Sequence, residues 1–276
     1  MCSNTVELLE EKLQSSAIKS YIEENVVSYE VDLHVKESIG STNDFVMSLG
    51  GVASNRVVAC FANAQSKGKG RNGKRWFSPA NSNIYMSVGF DLTGLQLKSL
   101  GGLSLACGVA IANMLEVLGI QPQLKWPNDV WVNAKKIAGI LIETRVKGSQ
   151  ITAVIGVGLN VSMEETCAQN IDQPWTDLVR CLGLDIKVDK NRIASMLLES
   201  VVEACSSYKA KGFNGDMMNS WEKYDVLKGG QVDVVRGEKK FTAEVLGVNQ
   251  DGSLEVVVDG SQQSIYAADV NVKLIK

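Results

Sequence analysis

Residues 124–143 read LKWPNDVWVNAKKIAGILIE. The stretch is apolar and β-branched enough for buried sheet, yet Lys125, Asn128, Asp129 and Lys136 stand among its strand positions. Proline cannot donate to a ladder, so Pro127-Asn128 breaks the strand, and the chain turns again at Asn133-Ala134. Beyond that tip, Ala138 and Gly139 leave room for a ligand to lie against the backbone. An ordinary charged hairpin explains Lys135. It does not explain Lys125-Trp126-Pro127-Asn128-Asp129, because proline is costly inside a central strand.

Working outward, two apolar strands are expected at 137–146 and 151–161, and a small-residue helix at 98–118 precedes the block. Further back, strands at 56–63 and 83–91 flank a basic, glycine-rich loop, and Ser41-Thr42-Asn43 look like the capped start of a helix. Val27, Tyr29, Val31, Leu33 and Val35 alternate with polar residues as a half-buried strand, with His34 read as a solvated side chain on its polar side. Val6, Leu9 and Leu13 fall on one face of a short N-terminal helix, with Ser3 or Asn4 as its cap. Helices follow at 176–182, 190–211 and 214–224. From 226 the texture changes to short alternating runs at 231–235, 241–248, 254–258, 263–267 and 271–275, separated by Arg236-Gly237, Asp251-Gly252 and Asp259-Gly260 turns. The expected architecture is α+β: a mixed β-sheet domain flanked by helices over residues 1–225, then a small β-barrel over 226–276.

Composition narrows the function classes. The chain has 276 residues, 45% hydrophobic and 21% charged, enough to bury a full core without staples. Twenty-eight basic against 31 acidic residues give a net charge of -3, which argues against a polybasic nucleic-acid binder, and no nucleic-acid partner is expected. Six scattered cysteines without CxxC spacing, and a single histidine, argue against structural zinc or a redox pair. The start MCSNTVELLEEKLQ is acidic and amphipathic, unlike a signal or transit peptide. The apolar run near 103–118 contains Ser, Gly and Asn and reads as a core helix rather than a membrane span. A cytoplasmic protein with reduced thiols is expected.

Residues 65–78, QSKGKGRNGKRWFS, interleave Lys67, Lys69, Arg71, Lys74 and Arg75 with Gly68, Gly70 and Gly73. Glycines let backbone N–H groups approach an anion, and the cations neutralise it, so a phosphate-bearing ligand fits. Gly68 to Gly73 matches the dinucleotide pattern G-x-G-x-x-G, but Pro79 and a strand follow where a helix should open. Gly68 to Arg75 comes close to a P-loop and fails at Arg75, where a magnesium-binding hydroxyl is needed.

Together these blocks resemble the biotin–protein ligase (holocarboxylase synthetase) family. Ser41-Thr42-Asn43, Gln65 to Ser78, Lys125 to Asp129, Lys136 to Leu141 and Gly156 to Asn160 stand in the family's order, and the likeness spans roughly 35–276. It implies a class II synthetase-like catalytic domain, a Src-homology-like C-terminal barrel, and ATP-dependent formation of biotinyl-5'-AMP. Biotin then passes to a lysine of the carrier domain of a biotin-dependent carboxylase. By the same likeness, Ser41, Thr42, Asn43, Gln65, Lys69, Gly70, Arg71, Lys136 and Gly139 bind biotin. Arg71, Lys125, Asn128, Asp129, Lys136, Asn160 and Trp175 face ATP, with Arg71 and Lys136 catalytic and Asp129 the candidate ligand for Mg2+. The family likeness leaves room for a homodimer and implies no membrane partner.

Two departures stand out. No helix-turn-helix precedes residue 35, so a DNA-binding repressor role is not expected. Ala267-Ala268-Asp269-Val270 stands where relatives usually show a Gly-Glu pair, which puts a barrel contact to ATP in doubt. A lipoate–protein ligase and a regulator that only binds biotinyl-adenylate are the competing readings. The KWPND block and the barrel favour biotin.

Overall fold

The computed structural model describes residues 12–24, 28–165, 171–183, 188–267 and 270–275. The helix expected at Val6 and Leu9, and Ala268-Asp269 of the barrel departure, lie outside them. Leu13 is buried but precedes helix α1 (Ser15–Glu24) rather than belonging to it.

The larger sheet has seven strands: β1 (Glu30–Lys36), β2 (Arg56–Ala62), β3 (Asn83–Asp91), β4 (Gln123–Lys125), β5 (Asp129–Val132), β6 (Lys135–Lys147) and β7 (Gln150–Asn160), in the order β1-β2-β3-β7-β6-β5-β4. Only β1 and β2 run parallel, so the sheet is mixed. The break at Pro127 separates β4 from β5, and the expected tip at Asn133-Ala134 has both residues at positive φ, 51° and 59°.

Side chains alternate across the sheet, and its two faces differ in kind. One face carries Phe61, Ile84, Met86, Ile140, Ile155 and Val157 into the main core, beneath helices α3 (Leu103–Val117), α5 (Lys190–Lys211) and α6 (Gly215–Tyr224). The segment Leu100–Val117, with mean hydropathy 1.6, is apolar enough to cross a membrane by length and composition. It buries Leu105, Cys107, Ile111 and Leu115 in this core, as expected. The opposite face holds helix α2 (Thr42–Ser48) through Val46, Val52, Val58, Cys60 and Val154. Beside α2 this face turns bare, with aligned cross-strand rows Ser87–Gly156–Leu141 and Tyr85–Gly158–Gly139–Asp129.

The second sheet comprises β8 (Gln231–Arg236), β9 (Lys239–Val248), β10 (Leu254–Val258), β11 (Ser261–Ile265) and β12 (Val270–Leu274), all antiparallel, in the order β11-β10-β9-β8-β12. Its core is Val232, Val234, Ala243, Val245, Leu254 and Val256. Asp259-Gly260, with φ of 49° and 77°, makes the tight turn read from the sequence.

One close contact between the two sheet regions is made from the strand break. Trp126, from the strand break, donates its indole N–H to the Gly252 carbonyl at 3.0 Å. A Cβ on Gly252 would fall 2.3 Å from the Gly101 carbonyl carbon, so only glycine lets these backbones touch. Trp126→Phe keeps most of the volume and leaves that buried carbonyl without its donor. It should cost about 1–3 kcal/mol, read as a lower denaturant midpoint. An unchanged midpoint would show that the contact does not hold the C-terminal sheet in place.

Candidate active site

The floor of the site begins at the start of α2. Ser41 caps the helix, its hydroxyl accepting from Asp44 N–H at 3.4 Å, and this fixes Thr42 and Asn43, both buried, over β3 and β7. Ser87 on β3 donates to Asn43 Oδ1 at 2.6 Å and lies 2.7 Å from the Thr42 hydroxyl. Asn43 Nδ2 donates to Glu143 Oε2 at 2.8 Å. Gln65 accepts from Thr42 N–H at 2.9 Å and donates to Ser78 at 3.0 Å. A Cβ on Gly156 would stand 2.3 Å from Asn43 Oδ1, so this polar floor exists only because β7 has no side chain there.

The glycine-rich loop folds back on itself. Gly70 N–H donates to Lys74 O at 2.7 Å, and Trp76 N–H to Gly68 O at 3.0 Å. A Cβ on Gly68 would meet Trp76 O at 2.5 Å, so the return needs glycine. Only a single 3-10 turn, Arg71–Gly73, forms within it, in keeping with the rejection of a P-loop. With Leu141 and Glu143 the loop bounds an open cavity of about 870 Å³. Its two central cations point to different ends. Lys69 pairs with Asp44 and lies 3.7 Å from Glu143. The hydrogen bond to Asp44 raises the Lys69 pKa, burial opposes it, and Glu143 adds to the rise. Arg71 donates to Asn128 Oδ1 at 3.2 Å and to the carbonyl of Ala267, between β11 and β12. Burial pulls its guanidinium below the usual value, opposed by Asp129.

The strand break supplies the charged end. Asn128 Nδ2 donates to Ile140 O at 2.8 Å and its carbonyl accepts from Ile140 N–H at 3.0 Å, pinning the turn to β6. Asp129 and Lys136 form an ion pair at 2.6 Å, their side chains 15% and 12% exposed, and Lys136 Nζ sits 5.1 Å from the centre of the Trp76 ring. Lys125 Nζ lies 4.8 Å over Trp131, and burial lowers its pKa despite Asp129. Lys135, next along the chain, is exposed.

The predicted residues thus fall into two neighbouring sets: Ser41, Thr42, Asn43, Gln65 and Lys69 over the Ser87–Gly156 row, and Arg71, Lys125, Asn128, Asp129 and Lys136 at the end of the Gly158–Gly139 row. Gly70 and Gly139 lie between them. Asn160 and Trp175 stand behind Lys136. The Asn160 amide donates to Thr176 O at 3.0 Å and Lys136 O at 3.4 Å, while the 174–176 segment bonds to the Lys136 backbone. The Trp175 ring is covered by the Arg180 guanidinium at 4.5 Å. His34 lies apart and is not simply solvated: half-buried, it meets Asp32 at 3.2 Å and the edge of Phe45.

Four participants were not read from the sequence: Ser87, Asp44, Glu143 and Trp76. Trp76 lies against the bare row, where a Cβ on Gly158 would stand 2.3 Å from its ring, and its buried indole N–H has no partner among the described residues. The legible signal was Gly156-x-Gly158 in an otherwise branched strand, a period-two gap on one face. Among the described residues no group of three or more His, Cys, Asp or Glu could hold a metal. Asp129 offers a single carboxylate, which suits Mg2+ only if substrate phosphates complete the shell.

Residues 35–160 match the model of the biotin/lipoate A/B protein ligase family. The chain is 32% identical over 238 residues to the bifunctional ligase/repressor BirA of Escherichia coli, covering 85% of this chain and 72% of that protein. It is 32% identical over 250 residues to the biotin–[acetyl-CoA-carboxylase] ligase of Mycobacterium tuberculosis, covering 86% and 88%. In three dimensions it resembles a biotin protein ligase from Aquifex aeolicus solved with biotin and ATP, at TM-score 0.74 and 25% identity, over 88% of this chain and 99% of that one.

Gly158→Ala drives a methyl into the Trp76 ring and should cost about 1–3 kcal/mol through overpacking. In a Trp76→Ala background the penalty should largely vanish. Equal penalties in the two backgrounds, read from denaturant midpoints, would mean the glycine serves something other than Trp76.

Proposed function

This chain belongs to the biotin/lipoate A/B protein ligase family, and we propose on that premise that it activates biotin with ATP and transfers the biotinyl group to a lysine of a carrier domain. The observation that carries the reading is the pairing of two unlike sites on one bare sheet face: an uncharged polar floor at Thr42, Asn43 and Gln65, and a cationic end at Arg71, Lys125 and Lys136. A neutral ureido ring suits the first and phosphates suit the second. A carboxylate joined to the ring by an apolar tail reaches from one to the other.

The chemistry calls for these residue types. An oxygen of the biotin carboxylate attacks the α-phosphorus of ATP, a P–O bond to pyrophosphate breaks, and biotinyl-5'-AMP forms. Two anions must approach, so Lys136 and Arg71 lower the repulsion and stabilise charge on the transferring phosphate. Asp129 is the residue that would hold Mg2+ brought in with ATP, and the ion would supply neutralisation of charge on the pyrophosphate. Lys136 is held ready by Asp129 and by the Trp76 face, so little reorganisation is needed as charge develops. The loop over Gly139 excludes water from the mixed anhydride. A neutral lysine amine of the acceptor then attacks the acyl carbon, the bond to AMP breaks, and the amine's proton is lost. The ligase machinery occupies residues 1–225, and the C-terminal unit, 226–276, walls the nucleotide end through Ala267, bonded to Arg71. A carrier domain of a biotin-dependent carboxylase is the acceptor that this reading supplies.

Biotin-dependent exchange of pyrophosphate into ATP tests the reading, with lipoate as control. Exchange with lipoate and none with biotin would move the chain to the other branch of its family. Lys136→Ala should cripple exchange while ready-made biotinyl-AMP partly restores transfer. Lys135→Ala should leave both intact, with stability within about 0.5 kcal/mol of wild type. Equal, small effects at the two lysines would remove Lys136 from the site. Arg71→Ala should speed release of the adenylate roughly ten- to a hundredfold, the value of a charge-assisted hydrogen bond.

A further inference from the structure

Glu143 lies in the second half of β6, just after its apolar run, and bounds the cavity under the glycine loop. Its two oxygens do different work. Oε2 accepts from Asn43 Nδ2 at 2.8 Å, and Oε1 lies 3.7 Å from Lys69 Nζ. The first contact fixes which way the Asn43 amide faces, since its oxygen is already taken by Ser87 at 2.6 Å. The second joins a loop residue, flanked by Gly68 and Gly70, to the rigid sheet. Asp44, in the first turn of α2, holds the same ammonium from the other side. Both anchors belong to the sheet and a helix, while the residue they hold belongs to a loop whose own backbone bonds, Gly70 N–H to Lys74 O and Trp76 N–H to Gly68 O, stay within the loop. Arg71, two residues on, is held at the nucleotide end by Asn128 and Ala267, while at the ring end Lys69 adds a side-chain tether beyond the backbone bonds of Ser66 to Ile39 and Lys67 to Gly40.

We propose that Glu143 is a positioning residue that couples the pocket floor to the loop, fixing Asn43 and, with Asp44, clamping Lys69 so that the loop stays closed over the ring end of the bound ligand. The inference rests on the biotin reading for the identity of that ligand but not for the clamp. The Lys69, Asp44 and Glu143 side chains are 39%, 54% and 32% exposed, so the clamp is partly screened and its contribution is modest.

Two measurements on the full chain test it. One is the release of radiolabelled biotin chased with unlabelled biotin. The other is the rate of tryptic cleavage within 67–75, where Lys67, Lys69, Arg71, Lys74 and Arg75 are the cleavable residues. Glu143→Gln should speed both by about two- to fivefold, the range of a partly exposed ion pair, without lowering the melting temperature. Asp44→Asn, on the exposed side of the clamp, should speed them similarly and stands in if the β6 variant folds poorly. Lys69→Met should speed biotin release, and adding Glu143→Gln to it should give clearly less than the product of the single effects, because the two residues act through one contact. Wild-type release and cleavage in both acid variants, or fully multiplicative effects in the double variant, would overturn the proposal. A wild-type protein that retains no labelled biotin would instead refute the ligase reading, and the tryptic comparison would still decide the clamp.

Discussion

The site depends on close approach to a bare sheet. Where β6 and β7 run side by side, Gly139 faces Gly158, and Gly156 lies one row away between Ser87 and Leu141. With any side chain there, Asn43 could not reach Ser87, and Trp76 could not lie on the sheet. Glycine in a strand interior weakens the strand, so these strands are held from elsewhere. Branched and aromatic residues on the opposite face, beneath α3 and α5, do this through an unbroken core. One face of the same two strands supplies stability and the other supplies room.

On that surface, charge is graded along the rows. The end near α2 has a floor of hydroxyls and amides whose hydrogen bonds are largely made internally, and its one cation, Lys69, is already paired with Asp44 and Glu143. The other end gathers Arg71, Lys125 and Lys136 about the single carboxylate of Asp129. Concentrating cations in a partly buried place costs desolvation, seen in the lowered pKa values of Arg71 and Lys125. Asp129 offsets part of that cost, and an incoming polyphosphate would offset more. This end of the site is therefore short of negative charge, which favours an anion there.

The glycine loop spans both ends with alternate residues, Lys69 to the floor and Arg71 to the strand break and to Ala267 between β11 and β12. The C-terminal unit is thus tied to the site twice, at Arg71–Ala267 and at Trp126–Gly252. Both ties start in blocks that read as unusual in the sequence, the glycine loop and KWPND. The proline break frees a tryptophan and an asparagine from strand pairing, and each then finds a carbonyl elsewhere in the fold.

Much of this was written locally. Alternation and turn chemistry marked the strands of both sheets to within a few residues, because period-two patterning and Asp-Gly or Asn-Ala turns are properties of short segments. The loop, the strand break and the lysine after the hairpin tip were visible as polar residues in apolar surroundings. What no local pattern held was pairing across the chain. That Glu143 meets both Asn43 and Lys69, that Trp76 fills the gap left by Gly158, and that Asn160 spends its amide on backbone carbonyls all follow from strand order β3-β7-β6. A carboxylate that closes the apolar run of a strand looks like a solvated side chain until a helix from a hundred residues earlier is laid over it. The sequence by itself determined which segments are strands and which residues carry charge. Only the tertiary structure decided which charges face each other, because long-range contacts depend on sheet order and register, and these are set by the packing of the whole chain.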